Sequence, residues 1–308
     1  MISQTYVYPR FSKPDFGLLR LGNRGLGNLL FPWARAVILG HRYRLKLISP
    51  TWRTVTAGPI LRAERDKRWY WDLFLSRSNY VRGFEKLKVL STWPRITEKE
   101  FVDRSMNDLM ERQVVICEGM GNLFRPLLPY AEVVKDELRQ ITPERYKPRF
   151  VENLRRTVVV HVRRGDFRPA TMDQIERGEG NSQVPMKWYL SVVEKLRFAL
   201  NETVSTLIVS DGSDSELSEI LSLGPSQRLH PGAAIQDLLV LASAGVLIAS
   251  GSTFSMWGSF VGRMPVIWPR GQLLQNLYGD QRELEIEMGL SDELPPAFVA
   301  AARQRLTG

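Results

Sequence analysis

The sequence predicts an α/β fold made of two Rossmann-like halves facing a cleft, and three observations predict it. Short β-branched runs alternate with helical stretches of about ten residues or more, the pattern of parallel sheets with crossover helices. Turns rich in glycine, serine and arginine follow several of those runs, where open α/β sheets bind ligands. A stretch with two prolines, ITPERYKPRF (141–150), divides the 308 residues into halves of ordinary domain size.

In the first half (1–150), FGLLRL (16–21) reads as a strand, GNRGLG (22–27) as a turn, NLLFPWARAVILGHRY (28–43) as a helix and RLKLI (44–48) as a second strand. That is a β-α-β unit with glycines at the strand-to-helix junction. From Pro50 to Tyr146 the pattern is less regular, with the basic and aromatic tract RDKRWYW (65–71) and the helical EVVKDELRQI (132–141). In the second half (151–308), strands are expected at TVVVHV (157–162), STLIVS (205–210), GVLIAS (245–250) and MPVIWP (264–269). Helices are expected at PMKWYLSVVEKLRFAL (185–200), DSELSEILSL (214–223), AAIQDLLVLASA (233–244) and about 253–262. No internal repeat or low-complexity tract interrupts this order.

Composition narrows the function classes. A hydrophobic content of 44% supports a large core, so disorder is not the default reading. An excess of 42 Lys and Arg over 33 Asp and Glu, net +9, suggests an anionic partner such as nucleic acid, membrane headgroups or phosphorylated substrates. Cys117 is the only cysteine, so the chain contains neither an internal disulfide nor a cysteine-built zinc site, and a reducing compartment fits. The opening MISQTYVYPRFSKPDFG lacks the apolar core of a secretion signal, and the longest apolar stretch, 238–250, is too short to span a bilayer. A soluble, cytoplasmic protein is the expectation, with peripheral attachment to the inner face of a membrane through basic patches left open.

Four stretches carry chemistry. GNRGLGN (22–28) lets backbone approach a ligand at a helix start through Gly25, Gly27 and Asn28, or is a tight turn with Asn28 capping the helix. HVRRGDF (161–167) ends a buried strand in two arginines whose side chains start toward opposite faces. One of them can hold a diphosphate, because a guanidinium is always charged and binds phosphate in a bidentate manner; the other can pair with Asp166 to hold the loop. The competing reading is an ion pair closing a turn over a buried His161. IVSDGSDSEL (208–217) offers Ser210 and Asp211 as acceptors for nucleoside donors, with Ser213 and Asp214 as helix caps. SGSTFSMWGS (250–259) sets Ser252, Thr253 and Ser255 at a helix start, or is a capping segment with Phe254 and Trp257 as core.

The absences matter as much. The chain has no Asp-x-Asp, no P-loop and no His-Glu-x-x-His, and His41, His161 and His230 lack ligand spacing. No metal and no other cofactor is expected.

Together the four stretches resemble the α-1,2-fucosyltransferase family, which shares motifs with α-1,6- and protein O-fucosyltransferases. HVRRGDF is similar to the family's H-x-R-R-G-D-[YF] at every position. Gly25-Leu26-Gly27-Asn28 with Phe31 and Ala34 resembles its N-terminal signature, Ser210-Asp211 its strand end, and Ser252-Thr253-Phe254-Ser255 with Trp257 its S-T-F-S-W-W segment. Asp237-Leu238 and Gln183-Val184-Pro185 with Trp188-Tyr189 resemble two further stretches. The resemblance implies a GT-B fold, an inverting and metal-independent mechanism, and GDP-fucose as donor. It implies that Arg163 contacts the β-phosphate, that His161 and Arg164 shape the site, and that Ser252, Thr253, Phe254 and Ser255 line the phosphate pocket. Asp211 would lie near the nucleoside, and Gly25 to Asn28 would reach the donor from across the cleft. The chain departs from the pattern at Leu29, Pro32-Trp33, Gly212, Gly251 and Met256.

The expected activity is therefore fucosyl transfer to a glycan hydroxyl, α-1,2 to galactose, on an oligosaccharide or lipid-linked acceptor, with residues 1–150 on the acceptor side and 151–308 on the donor side. Asp173 and Glu176 are candidate bases. Trp52, Trp69, Tyr70 and Trp71 are candidate sugar platforms, with core packing as the competing reading. Alternatives are a different nucleotide-sugar donor on the same fold and a non-catalytic nucleotide-sugar or glycan-binding module. Nucleic-acid binding through RDKRWYW is the least favoured, because the tract is short.

Overall fold

The computed structural model describes residues 4–55, 69–103, 112–230 and 232–308. The chain is α/β with parallel sheets, and it divides into two compact units, residues 1–145 and 146–308.

The first unit contains strands β1 (Gln4–Arg10), β2 (Arg20–Leu21), β3 (Lys46–Leu47), β4 (Thr54–Val55), β5 (Arg95–Thr97) and β6 (Arg112–Glu118). Its helices are α1 (Leu26–Tyr43), α2 (Gly83–Thr92), α3 (Glu98–Asp103) and α4 (Ala131–Ile141). A parallel sheet runs in the order β3-β1-β6-β5. Tyr6 pairs with Val114 and Val7 with Val115, and the period of two sorts them by face. Tyr6, Tyr8, Val114 and Ile116 pack with Val89 of α2, whereas Val7, Val115 and Cys117 pack with Ala36 and Leu39 of α1. Both faces are buried, which is why 112–118 reads as a run of apolar residues rather than an alternation.

The β-α-β unit is present, but its first strand is not the expected one. Gln4–Arg10 occupies the sheet beside β3. FGLLRL supplies only Arg20 and Leu21, paired with Thr54 and Val55 in a two-stranded sheet, and its Phe16 and Leu18 are exposed. YVYPR is not distinguished on sequence alone because Pro9 and Arg10 mask a strand whose five central positions, Thr5 to Pro9, are buried. Helix α1 starts at Leu26 with Gly25 in the N-cap position, so Asn28 lies in the first turn and does not cap.

The second unit contains α5 (Val151–Arg155), β7 (Val158–Val162), β8 (Arg168–Pro169), α6 (Met172–Glu176), β9 (Ser182–Gln183), α7 (Met186–Leu200) and β10 (Thr206–Ser210). There follow α8 (Ser218–Ser222), β11 (Ser226–Arg228), α9 (Ala234–Ala242), β12 (Val246–Ile248), α10 (Thr253–Gly262), β13 (Val266–Pro269), β14 (Glu285–Met288) and α11 (Pro296–Thr307). Six parallel strands take the order β11-β10-β7-β12-β13-β14. Counted by first appearance this is 3-2-1-4-5-6, the doubly wound order whose switch point lies between strands 1 and 4, here β7 and β12. The expected helix 214–223 shrinks to Ser218–Ser222, because Glu216 turns its carboxylate back onto the Ser213 backbone N–H (2.7 Å) and hydroxyl (2.8 Å). Asp214, expected as a cap, is instead ion-paired with Arg228. Strands β11 and β14 were not legible, being short and polar, and helix α11 was missed although Phe298, Ala302 and Leu306 are buried at a spacing of four.

Candidate functional site

Strand β7 sets the site by parity. Val158, Val160 and Val162 enter the core beneath α7, so His161 points to the opposite face, toward α10. The same alternation continues past the strand end and separates the two arginines. Arg164 follows Val162 inward: it is 7% exposed and donates through Nη1 to the Val184 carbonyl at 3.0 Å. Arg163 stays at the surface of the carboxyl edge, a quarter exposed.

Arg163, and not Arg164, is the partner of Asp166. Its Nη2 donates to Asp166 and its Nη1 to Asp211, which reaches across from the end of β10. Asp211 also accepts the Arg164 backbone N–H at 2.8 Å, so both its oxygens are committed to the arginine loop. Its carboxylate thereby fixes the arginine loop, a contact the sequence did not show. Ser210 supports the same corner, donating to the Val162 carbonyl (2.6 Å) and accepting the Gly212 N–H (3.0 Å). The Phe167 ring lies 5.3 Å from the Arg163 guanidinium. Two of the five guanidinium N–H donors serve the two carboxylates here, which leaves donors for a further anion.

On the other side of the switch point, His161 meets a cluster of serines. Its Nδ1 lies 2.6 Å from Ser255 Oγ and 3.1 Å from Ser250 Oγ. Ser255 Oγ accepts the Ser250 backbone N–H at 3.1 Å, and Ser252 Oγ caps α10 by accepting the Ser255 N–H at 3.2 Å. Burial, and next the Arg163 charge, push the His161 pKa down to about 3, so the ring is neutral. A hydroxyl donating to Nδ1 leaves the ring proton on Nε2. Phe254 is half-buried with its ring 5.4 Å from that of His161, whereas Trp257 is fully buried; only the second is core. Thr253 opens α10 and is partly exposed.

Sequence reasoning missed Ser250, whose hydroxyl touches His161, Ser252 and Ser255. Its position at a strand end before a serine-rich helix start was the available signal. Two departures from the family pattern also find a steric reason. A side chain at Gly212 would meet Arg164 Cγ at 2.9 Å, and one at Gly251 would collide with Gln272, which anchors to the Ile175 carbonyl at 2.8 Å. Gly165 has φ +33° and no room for a Cβ beside Asp211.

The candidate bases are not wired into this cluster. Asp173 and Glu176 belong to α6, opened by a capping box between Thr171 and Gln174, and no hydrogen bond or ion pair joins either to Arg163 among the described residues. Gly25, Gly27 and Asn28 belong to the first unit. A Cβ at Gly25 would meet nothing within 4 Å, so crowding does not explain that glycine. Trp52 and Tyr70 are buried, and Trp69 and Trp71 are about half exposed with ring centroids 6.4 Å apart. Of RDKRWYW, residues 65–68 lie outside the described residues. Among the described residues no group of three or more His, Cys, Asp or Glu is placed to hold a metal ion, and no helix is long and apolar enough to cross a membrane.

No protein-family model matches the chain, and no curated protein matches it in sequence. Among solved structures it is similar to NodZ α-1,6-fucosyltransferase soaked with GDP-fucose, with TM-score 0.49 and 14% identity over 86% of this chain and 94% of that one. Fucosyltransferase NodZ from Bradyrhizobium gives TM-score 0.46 and 14% identity over 86% and 95%. POFUT1 in complex with GDP gives TM-score 0.42 and 13% identity over 86% and 98%. At this level of likeness none of them assigns an activity to the chain.

Proposed function

We propose that the chain is a GT-B glycosyltransferase that moves fucose from GDP-fucose to a glycan hydroxyl, inverting the anomeric carbon and using no metal. Arg163 supports this reading most. It stands at the switch point of a 3-2-1-4-5-6 sheet, held by Asp166 and Asp211 with donors to spare, beside a capped helix start and the neutral His161. A pyrophosphate suits that setting, because nucleotide diphosphates bind at switch points on helix N-termini.

In the transfer the bond from the sugar anomeric carbon to the β-phosphate oxygen breaks, and the electron pair stays on that oxygen. The acceptor oxygen attacks the opposite face and gives up its proton to a base. Arg163, already oriented by two carboxylates, stabilises the growing negative charge more than the ground state. His161 adds an Nε2–H donor that does not titrate near neutrality. Asp166 and Asp211 are positioning residues, and Ser250, Ser252 and Ser255 hold the ring. The second unit carries the donor in this reading and the first unit the acceptor; α-1,2 linkage to galactose is part of the proposal.

The test is direct. GDP is expected to raise the melting temperature in the presence of EDTA. Arg163→Ala is expected to keep the far-UV circular dichroism and lose about 10²–10³ in transfer rate, the usual cost of one preorganised donor. Transfer from GDP-fucose to β-galactoside acceptors is read by mass spectrometry. GDP without effect at millimolar concentration, where another nucleotide stabilises, would move the donor assignment.

One observation favours a second reading. Asp166 and Asp211 are both ion-paired to Arg163, and among the described residues of the second unit no other carboxylate pairs there to act as base, as a nucleotide-sugar-binding module without catalysis would allow. Formation of any fucosylated product removes it.

A further inference from the structure

A cavity of about 470 Å³ lies wholly within the first unit and shares no residue with the site above. Tyr8, from the carboxyl end of β1, and Asp15 form its floor, Phe16 and Phe84 are among its walls, and Lys88 and Arg95 stand at its rim. Both phenylalanines are unusually bare, at 63% and 81% exposed. Solvent-facing aromatic rings flanking a concave site are costly unless something covers them.

The floor is built with an excess of positive charge. Asp15 accepts from Tyr8 Oη at 2.6 Å and from the Gly17 N–H at 2.9 Å. Behind it, Lys86 is 4% exposed and donates to Thr51 Oγ1 at 3.0 Å, and Arg20 is fully buried and donates through Nε to the Thr51 carbonyl at 3.1 Å. Neither Nη of Arg20 has a partner, and no carboxylate lies within ion-pair distance of Lys86 or Arg20 among the described residues. Burial pushes Lys86 down to about 8 and Arg20 to about 10, and the charge of Asp15 offsets this only in part for both. Two buried cations face one carboxylate. At the rim, Arg10 is neutralised by Glu118, but Lys88 and Arg95 have no acidic partner among the described residues.

Aromatic faces suit the C–H face of a pyranose, and a floor carboxylate accepts hydroxyl protons. The surplus of cations selects against a neutral sugar and for an acidic one. We propose that this cavity binds a sugar ring bearing an acidic substituent, a carboxylate or a phosphate, packed between Phe16 and Phe84 with a hydroxyl on Asp15 and the acid toward Lys88 and Arg95. Resting on the transferase reading, it names the acceptor class as an acidic glycan.

The experiment is calorimetric titration of the full chain with methyl β-galactoside, its uronate, its 6-phosphate, and benzoate as an anion without hydroxyls. The uronate or the phosphate is expected to bind at least about tenfold tighter than the neutral glycoside, about 1.4 kcal/mol, with benzoate weaker than both; whichever of the two binds identifies the acid. The double variant Lys88→Gln, Arg95→Gln is expected to erase that preference, and Phe84→Ala to weaken every sugar. All three side chains are exposed, so the fold is not at stake. Equal binding of neutral and acidic sugars, no binding, benzoate matching the sugar acids, or variants without effect would each overturn the proposal. GDP stabilisation, measured on the same samples, keeps the two readings apart. Sugar binding that fails while GDP still stabilises removes the cavity alone; GDP failing while the acid sugar binds removes the transferase reading alone.

Discussion

His161 shows how a single residue couples the fold to pH. Its pKa in the folded chain, about 3, lies below the ordinary value near 6.5, because burial and Arg163 both oppose the charged ring. As pH falls below about 6.5 the unfolded chain takes up this proton and the folded chain does not. The ring's contribution is therefore whole above pH 6.5 and drains away toward pH 3, at up to about 1.4 kcal/mol per pH unit. Urea denaturation at pH 7, 6 and 5 is expected to give a shallower slope for His161→Gln than for the natural chain, and parallel slopes would refute it. The motif HVRRGDF was legible as charge at the end of a buried run. Which arginine pairs with Asp166 was not, because Asp211 arrives from a strand nearly fifty residues away and no local spacing reports it.

At the scale of elements, α9 and α10 carry the serine cluster to β7, and their approach depends on small residues. Gly258 of α10 stands so close to Leu241 of α9 that a Cβ would meet Leu241 Cβ at 2.7 Å. Gly258→Val is expected to cost about 1–3 kcal/mol, the range for overpacking, and to lower GDP affinity by displacing Ser255 from His161. Denaturant midpoints together with GDP titration would check it; lost stability with unchanged affinity would show that the helix moves without the serines. Helices α1, α7 and α10 were legible from periodicity, α10 to the residue. The failures were elements whose pattern carries little signal: β1 interrupted by Pro9, β6 buried on both faces, β14 alternating acidic and apolar residues.

For the whole molecule, the surplus of nine positive charges bears on encounter rather than on fold. Stopped-flow association of a fluorescent GDP is expected to slow several-fold between 50 and 500 mM NaCl while dissociation changes little, because salt screens steering more than a partly buried contact. An association rate indifferent to salt would mean that the excess lies away from the nucleotide's approach. By itself the sequence determined the α/β class, the parallel crossover pattern, and the four turns with chemistry, since these follow from local periodicity and residue type. Only the tertiary structure decided the strand order, the committed carboxylate of Asp211, the Ser250 contact and the charged floor around Thr51. Each of those joins residues far apart in the chain, and a contact set by the pairing of distant strands leaves no mark in the spacing of either.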